Sequence, residues 1–429
     1  MNVRSLKTGL SALVVLAAGS VAAQTASEEI AAHPERSAGV YHSYEYLPSE
    51  EAPVPKGYRP FYISHYGRHG SRYHSSGDLY TAPLVPLRAA AAADALTPLG
   101  REVLAKGEAL AADAAGRYGD LSQRGVEEHR AIAERMFRSW PEVFSTRRGR
   151  ECLVESRSTL VPRCILSMAA FNERLKELNP GIRATRESSA RYMDYLAGVP
   201  AMGELGPRSH AAADSVKRAW LHPERLVASL FTEAAPELAD PQKFMYDLFM
   251  LTSIAQDVSR PDLAFYDAFT SEELNALWAT LNAYCYYTMG PSRRFGDPIV
   301  ASARPLLRNI VETAREVIDG ERNLSASLRF GHDVYLIPLA SLLQTSVSAA
   351  RISDADSIRS CWSIEKVSPM AANIQFIFFR HDRTGDFRVR VLCNERDAQL
   401  PLDLCTSHQL ETSRFYCAGI RAEFAACPA

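Results

Sequence analysis

No charge sign dominates this chain: 48 Lys and Arg stand against 50 Asp and Glu, a formal net charge of −2. That balance excludes the strong basic excess of a dedicated nucleic-acid binder. With 47% apolar and 23% charged residues, the composition also excludes a disordered, collagen-like or coiled-coil protein. No internal repeat occurs, and no low-complexity tract beyond the alanine-rich residues 89–95. No CxxC pair occurs, which leaves thiol-redox and zinc-ribbon readings little support. What remains is a chain of 429 residues, whose length sets a prior of two or three domains.

Export is written at the start. Arg4 and Lys7 precede the apolar run from Leu10 to Ala18, and Val21-Ala22-Ala23 supplies small residues before a cut. Residues 1–23 therefore read as a secretory signal peptide. The run is too short to span about 30 Å of hydrocarbon, so no stable membrane anchor is expected after cleavage, and the location reads as periplasmic or secreted. All eight cysteines (Cys152, Cys164, Cys285, Cys361, Cys393, Cys405, Cys417 and Cys427) follow the leader. An even count in an exported chain suggests disulfides, and five cysteines after residue 360 suggest a stapled C-terminal region.

Tyr58 to His65 (YRPFYISH) reads as a buried strand, with glycines and small polar residues directly behind it. Thr97-Pro98 reads as an N-cap with proline at the first helical position, opening a helix to about Ala115. Ser122 opens a second helix, with Val126, Ala133, Met136, Phe137 and Trp140 on one stripe. Leu153 to Ser156 suggests a short strand, and a helix begins near Arg163. From about Phe171 to Pro298 the pattern is nearly all helical. Ala303 to Ile318 is strongly amphipathic. Ala326, Leu328 and Phe330 alternate like a strand, and residues 335–345 are helix-like. Ile374 to Phe379 and Phe387 to Leu392 form two strands around the turn residues HDRTGD. The expected fold is α/β: a Rossmann-like three-layer α/β/α core over residues 24–170 and 301–429, interrupted by a mostly helical insertion or cap over residues 171–300.

The chemistry concentrates in His65-Tyr66-Gly67-Arg68-His69-Gly70-Ser71-Arg72-Tyr73-His74. It follows a predicted strand, and in open α/β sheets ligands bind at the carboxyl ends of strands. Arg68 and Arg72 offer forked donors to an anion, and His69 between them could attack an electrophile that both hold. Two other readings stay open on residue chemistry alone: a solvated basic turn, and a metal site built from His65, His69 and His74. The interleaved arginines oppose the metal reading by repelling a cation.

Arg68-His69-Gly70-Ser71-Arg72-Tyr73 resembles the RHGxRxP signature of histidine acid phosphatases, a branch of the histidine phosphatase superfamily. The proline of that signature is missing at Tyr73-His74, and the RHGxRY form resembles the multiple inositol polyphosphate phosphatase and phytase group. Phe330-Gly331-His332-Asp333 with Leu336-Ile337-Pro338-Leu339 resembles the late motif, usually FGHAExLLPL in the inositol polyphosphate group. Here Asp333 directly follows the histidine, as in ordinary acid phosphatases and HD-type phytases. Arg157-Ser158-Thr159 with Arg163, Ser167 and Phe171 resembles the middle block that supplies a third arginine, and Leu96-Thr97-Pro98-Leu99-Gly100 fits the LTxxG element.

The resemblance implies His69 as the nucleophile that takes the phosphoryl group, with Arg68, Arg72, Arg163 and His332 clamping the phosphate oxygens. Asp333 would protonate the leaving oxygen and then help activate water. It implies no metal and no cofactor. Tyr73 and His74 are candidate pocket residues. Arg183, Arg186 and Arg191 form a basic run that could meet a polyanion, and Asn394-Glu395 could edge the site. Bland alternatives stand beside these roles: His332 as a core histidine, Asp333 as a helix cap, and Arg163 paired with Glu155 or Glu173. The expected function is a phosphomonoester hydrolase acting through phosphohistidine on inositol polyphosphates. Alternatives are a broad or sugar-phosphate acid phosphatase and, outside the enzymes, an inactive phosphate-binding protein. The expected partner is a small phosphate ester, with no nucleic acid and no membrane; the sequence is silent on oligomeric state.

Overall fold

The computed structural model describes residues 26–48, 53–198, 200–398 and 400. The expected signal peptide and Cys405, Cys417 and Cys427 lie outside them. Among the described residues, seven strands form one sheet: β1 (Tyr58–Arg68), β2 (Leu153–Ser158), β3 (Arg183–Ser188), β4 (Ala326–Gly331), β5 (Asn373–His381), β6 (Phe387–Cys393) and β7 (Arg396–Asp397). Their order is β3-β2-β4-β1-β5-β6-β7. β1, β4, β2 and β3 run parallel, while β5, β6 and β7 add antiparallel pairing at one side. Every residue of β4 is buried, as a central parallel strand covered on both faces requires.

Two helical layers cover the sheet. On one face, helices α1 (Gln123–Ser139) and α2 (Pro162–Leu178) pack Ile132, Met136, Met168 and Phe171 against Ile63, Phe330 and Ile377. On the other, Tyr62, Tyr66, Phe376 and Phe378 share a core with the helical block. That block includes α3 (Leu205–Trp220), α4 (Pro241–Ser253) and α5 (Ser271–Met289), joined by α6 (Arg304–Ile318) and α7 (Asp333–Leu342). The three-layer α/β/α expectation is borne out, with helical parts added to one face.

Local chemistry set several boundaries. Thr97 caps the helix Pro98–Ala114 by accepting from Gly100 N–H at 3.0 Å, and Ser122 caps α1 by accepting from Gly125 N–H at 3.2 Å. Elsewhere tertiary context prevailed. β3 falls inside the range read as helical, because its sequence (RATRES) is largely exposed and carries no apolar alternation. Pairing with β2 makes it an edge strand. β1 runs three residues past His65 because its parallel ladder with β4 continues to Arg68 opposite Gly331. On α1 the buried side includes Glu128 and His129, whereas Val126 and Phe137 are half-buried. Cys152, Cys164, Cys285 and Cys393 are free and buried, so the expected disulfides do not involve these four. Among the described residues no helix is long and apolar enough to cross a membrane.

Candidate active site

β1 and β4 end side by side, and the chain leaves β1 directly into His69. The His69 N–H donates to the Gly331 carbonyl at 2.9 Å, and the His69 carbonyl accepts from Ala371 N–H at 3.0 Å. The residue is thus pinned across the sheet, at the carboxyl ends of its parallel strands. Gly70 allows the next step: a Cβ there would lie 2.5 Å from the Gly125 carbonyl oxygen and 2.6 Å from its Cα. The loop therefore crosses the start of α1 backbone to backbone.

The His69 ring is buried, with Nδ1 2.9 Å from the Gly70 carbonyl oxygen. A carbonyl only accepts, so Nδ1 carries the hydrogen and Nε2 keeps its lone pair. Burial first, then the charges of Arg68, Arg72 and Arg163, hold the His69 pKa well below the ordinary histidine value. The His332 ring stands edge-on to it, centroids 5.6 Å apart, with Nε2 3.1 Å from Thr159 Oγ1. Burial and then the Arg163 charge lower its pKa to about 4, against the opposing charge of Asp333.

Three guanidinium groups surround these rings. Arg68 is wholly buried and donates from Nη1 to the carbonyls of Val40 at 2.7 Å and Ser368 at 2.8 Å. Its Nη2 lies 3.0 Å from Asp333 Oδ2. Arg72 donates from Nη1 to the Tyr73 carbonyl at 2.8 Å and lies over the Tyr41 ring, 5.5 Å from its centroid. Arg163 is close enough that Arg72 and Arg68 depress its pKa, after burial. Its alternative partners are engaged elsewhere: Glu155 with Arg157 at 3.0 Å and Arg322 at 2.8 Å, Glu173 with Arg130 at 3.8 Å. The Nε atoms of Arg68, Arg72 and Arg163 are all buried without a hydrogen-bond partner among the described residues. Unpaired buried donors are costly, and an anion with several oxygens would satisfy them.

Asp333 opens α7, with His332 at the N-cap position, and its Oδ1 accepts from Val334 N–H at 2.9 Å. Burial pushes its pKa up, but Arg68, Arg72 and His332 outweigh this, and the net shift is downward.

Other sequence-picked residues lie elsewhere. His74 is wholly buried, its Nε2 donates to the Met250 carbonyl at 2.8 Å, and its ring packs against Tyr41 and Tyr80. It is a core histidine and does not line a pocket. Tyr73 is also buried, its hydroxyl donating to Asp113 at 3.0 Å, with the Arg117 guanidinium over its ring. His65 packs between Phe171 and Phe330, so His65, His69 and His74 do not converge on one point. Among the described residues no group of three or more His, Cys, Asp or Glu is placed to hold a metal ion. Arg183 starts β3, at the end of the parallel strands opposite His69, and pairs with Glu151 at 3.1 Å. Arg186 follows on the same edge strand, and Arg191 lies over the Tyr192 ring. Asn394 and Glu395 form a turn at φ 49° and 63°, with Glu395 paired to Arg135 at 2.7 Å.

Sequence reading missed several supports. Gly70 N–H donates to Ser167 Oγ at 3.1 Å, and Ser71 bonds to both Glu128 and Asp257. Thr159 and Ser167 stood within the middle block without a role. Glu128 and Asp257 carried no local signal.

Residues 226–394 match the profile of the histidine phosphatase superfamily (branch 2), a stretch that includes His332 and Asp333. Among solved structures, the chain is similar to the multiple inositol polyphosphate phosphatase of Bifidobacterium longum in complex with inositol hexasulfate. The TM-score is 0.67 at 20% identity, over 85% of this chain and 93% of that one. The same protein in complex with phosphate gives 0.67 at 20% identity, with the same coverage. The phytase from D. castellii gives 0.61 at 15% identity, over 85% of this chain and 80% of that one. At such identities the likeness establishes the fold. No curated protein matches the chain. The matched stretch agrees with the enzyme class expected from the sequence, a histidine-type acid phosphatase.

Proposed function

We propose that this chain is a histidine-type phosphatase that hydrolyses phosphomonoesters through a phosphohistidine at His69, with inositol polyphosphates as its substrates. The observation that carries the reading is the set of unpaired buried donors on Arg68, Arg72 and Arg163 around a histidine whose Nε2 lone pair is free. Phosphoryl transfer asks the protein mainly for positioning and charge neutralisation. The three arginines and His332 supply both to the phosphate oxygens, whose charge spreads in the transition state. His69 Nε2 forms the bond to phosphorus as the ester oxygen leaves. Asp333 delivers a proton to that oxygen, then takes one from the water that attacks the phosphohistidine and regenerates His69. In the free site the nearby cations keep Asp333 ionised; a bound phosphate dianion offsets those charges and favours its protonation.

The RHGxRY form and the likeness to a structure holding inositol hexasulfate support the substrate class. A second reading, a broad acid phosphatase, is favoured by Asp333 standing directly after His332 and pairing with Arg68. One panel separates them: kcat/KM for phytate, glucose 1-phosphate and an aryl phosphate under mildly acidic conditions, with EDTA present. Phytate should lead. A flat ranking favours the broad enzyme. Phosphate binding without release from any ester at any pH overturns the catalytic reading. Export to the periplasm or medium belongs to the same proposal, supported by the leader pattern, and is tested by whether the exported protein begins at Gln24.

A further inference from the structure

Beneath the His69 loop lies a buried acid pair that the proposed chemistry does not use. Ser71 Oγ is 2.8 Å from Glu128 Oε1 and 2.6 Å from Asp257 Oδ1. Glu128 comes from α1 on one face of the sheet, whereas Asp257 follows α4 in the helical layer on the other. Both side chains are buried. Ser71 has a single hydroxyl hydrogen, which cannot bridge to two carboxylates at once. One of the two short contacts must be closed by a carboxyl hydrogen.

The surroundings decide which acid carries it. Glu128 accepts backbone N–H groups from Ser71 at 2.7 Å and Tyr44 at 2.9 Å, and Arg124 lies 3.7 Å away. Those donors suit a carboxylate. Asp257 has hydroxyl partners, Ser71 and, at 2.9 Å, Ser43, while its Oδ2 is buried with no hydrogen-bond partner among the described residues. A charge there would be unsolvated. We infer that Asp257 is held as a neutral carboxylic acid that donates to Ser71 Oγ, that Ser71 in turn donates to Glu128, and that this relay positions the His69 loop. Asp257 is thus a positioning residue, acting through Ser71. Its effect on turnover rests on the phosphatase reading; the proton assignment does not.

The charged and titratable groups facing Asp257 are Glu128 from α1, Arg72 from the loop, and the hydroxyls of Tyr80 and Tyr266. Burial above all, with the Glu128 charge adding to it, pushes the Asp257 pKa up to about 8, outweighing the lowering effect of its contacts with Ser71 and Ser43 and of the Arg72 charge. When Asp257 ionises, two buried carboxylates compete for one hydroxyl, and the loop loses its hold.

Asp257→Asn keeps a donor toward Ser71 but cannot ionise, whereas Asp257→Ala removes the donor. Under acid conditions Asp257→Asn should stay within about twofold of wild type, and Asp257→Ala should lose about tenfold or more in kcat from loop misplacement. On the alkaline side, the fall in wild-type activity should move to higher pH in Asp257→Asn. An unchanged alkaline limb, or an Asp257→Asn enzyme as impaired in acid as Asp257→Ala, overturns the relay. Infrared difference spectra give a readout free of turnover. A protonated-carboxyl band should be present in wild type at neutral pH and absent from Asp257→Asn, and its absence from wild type refutes the neutral acid. If wild type releases no phosphate, the phosphatase reading fails while the infrared result still decides the proton.

Discussion

The proposed mechanism makes two demands at His69: the nucleophile must be neutral, and the site must be positive enough to hold a phosphate dianion. The three arginines serve both, because the charges that would bind phosphate also depress the histidine pKa. On the proposed mechanism, the nucleophile would stay unprotonated in acid. His69→Ala should abolish turnover while phosphate still binds, as read by calorimetry. Asp333→Asn should slow esters with poor leaving groups far more than an activated aryl ester; equal slowing of both would remove its role as the acid. Arg163→Ala removes one charged donor worth about 1.5–3 kcal/mol, so inhibition by inorganic phosphate should weaken about tenfold or more. Sequence legibility at this scale followed chain contiguity. Arg68, His69 and Arg72 share one turn, and His332-Asp333 another, so their types could be read together. Tyr73 and His74 show where contiguity misleads: beyond Arg72 the chain runs extended against Leu121, and its side chains turn away into the core.

Among the elements, the crossing of the His69 loop over α1 is a tight backbone-to-backbone joint. A Cβ on Gly125 would lie 2.3 Å from the Ser71 carbonyl oxygen and 2.8 Å from its nitrogen. Both obstacles are backbone, which cannot rotate aside. Gly125→Ala should cost roughly 1–3 kcal/mol of stability and reduce kcat together with the melting temperature. Gly206→Ala is the control, since its nearest contact is Met202 Cβ at 3.5 Å and it lies within α3. It should be neutral or slightly stabilising. If the two variants melt alike, the crossing is not tight. The caps at Thr97 and Ser122 were legible because a hydroxyl three residues before its N–H partner is a local signal. β3 was not, because an edge strand of arginine, threonine and glutamate declares itself only through its neighbour.

For the whole molecule, the alternation of strands and helices foretold the three layers, but sums misled. A net charge of −2 hides a cationic site, and eight cysteines include four buried free thiols. Histidines likewise divide by burial, which no count reveals. His65, His74 and His129 are buried, and burial lowers the pKa of each to about 3 from an ordinary 6.5. Between these values the unfolded chain takes protons that the native state refuses. The stability tied to each is fully present above 6.5 and is lost as pH falls toward about 3. Asp257 acts in the opposite sense, giving stability below its ordinary 3.8 that is lost as pH rises toward about 8. On the proposed reading, activity in acid would fall in the pH range where these three histidines reduce stability. His65→Phe isolates one contribution, because the ring stays aromatic beside Phe171 and Phe330 and can no longer protonate. Unfolding free energy followed by denaturant titration across that acid window should fall less steeply in the variant, by up to about 1.4 kcal/mol per pH unit. Taking the difference from wild type cancels every other titrating group, so parallel acid profiles would mean that His65 does not drive the acid loss.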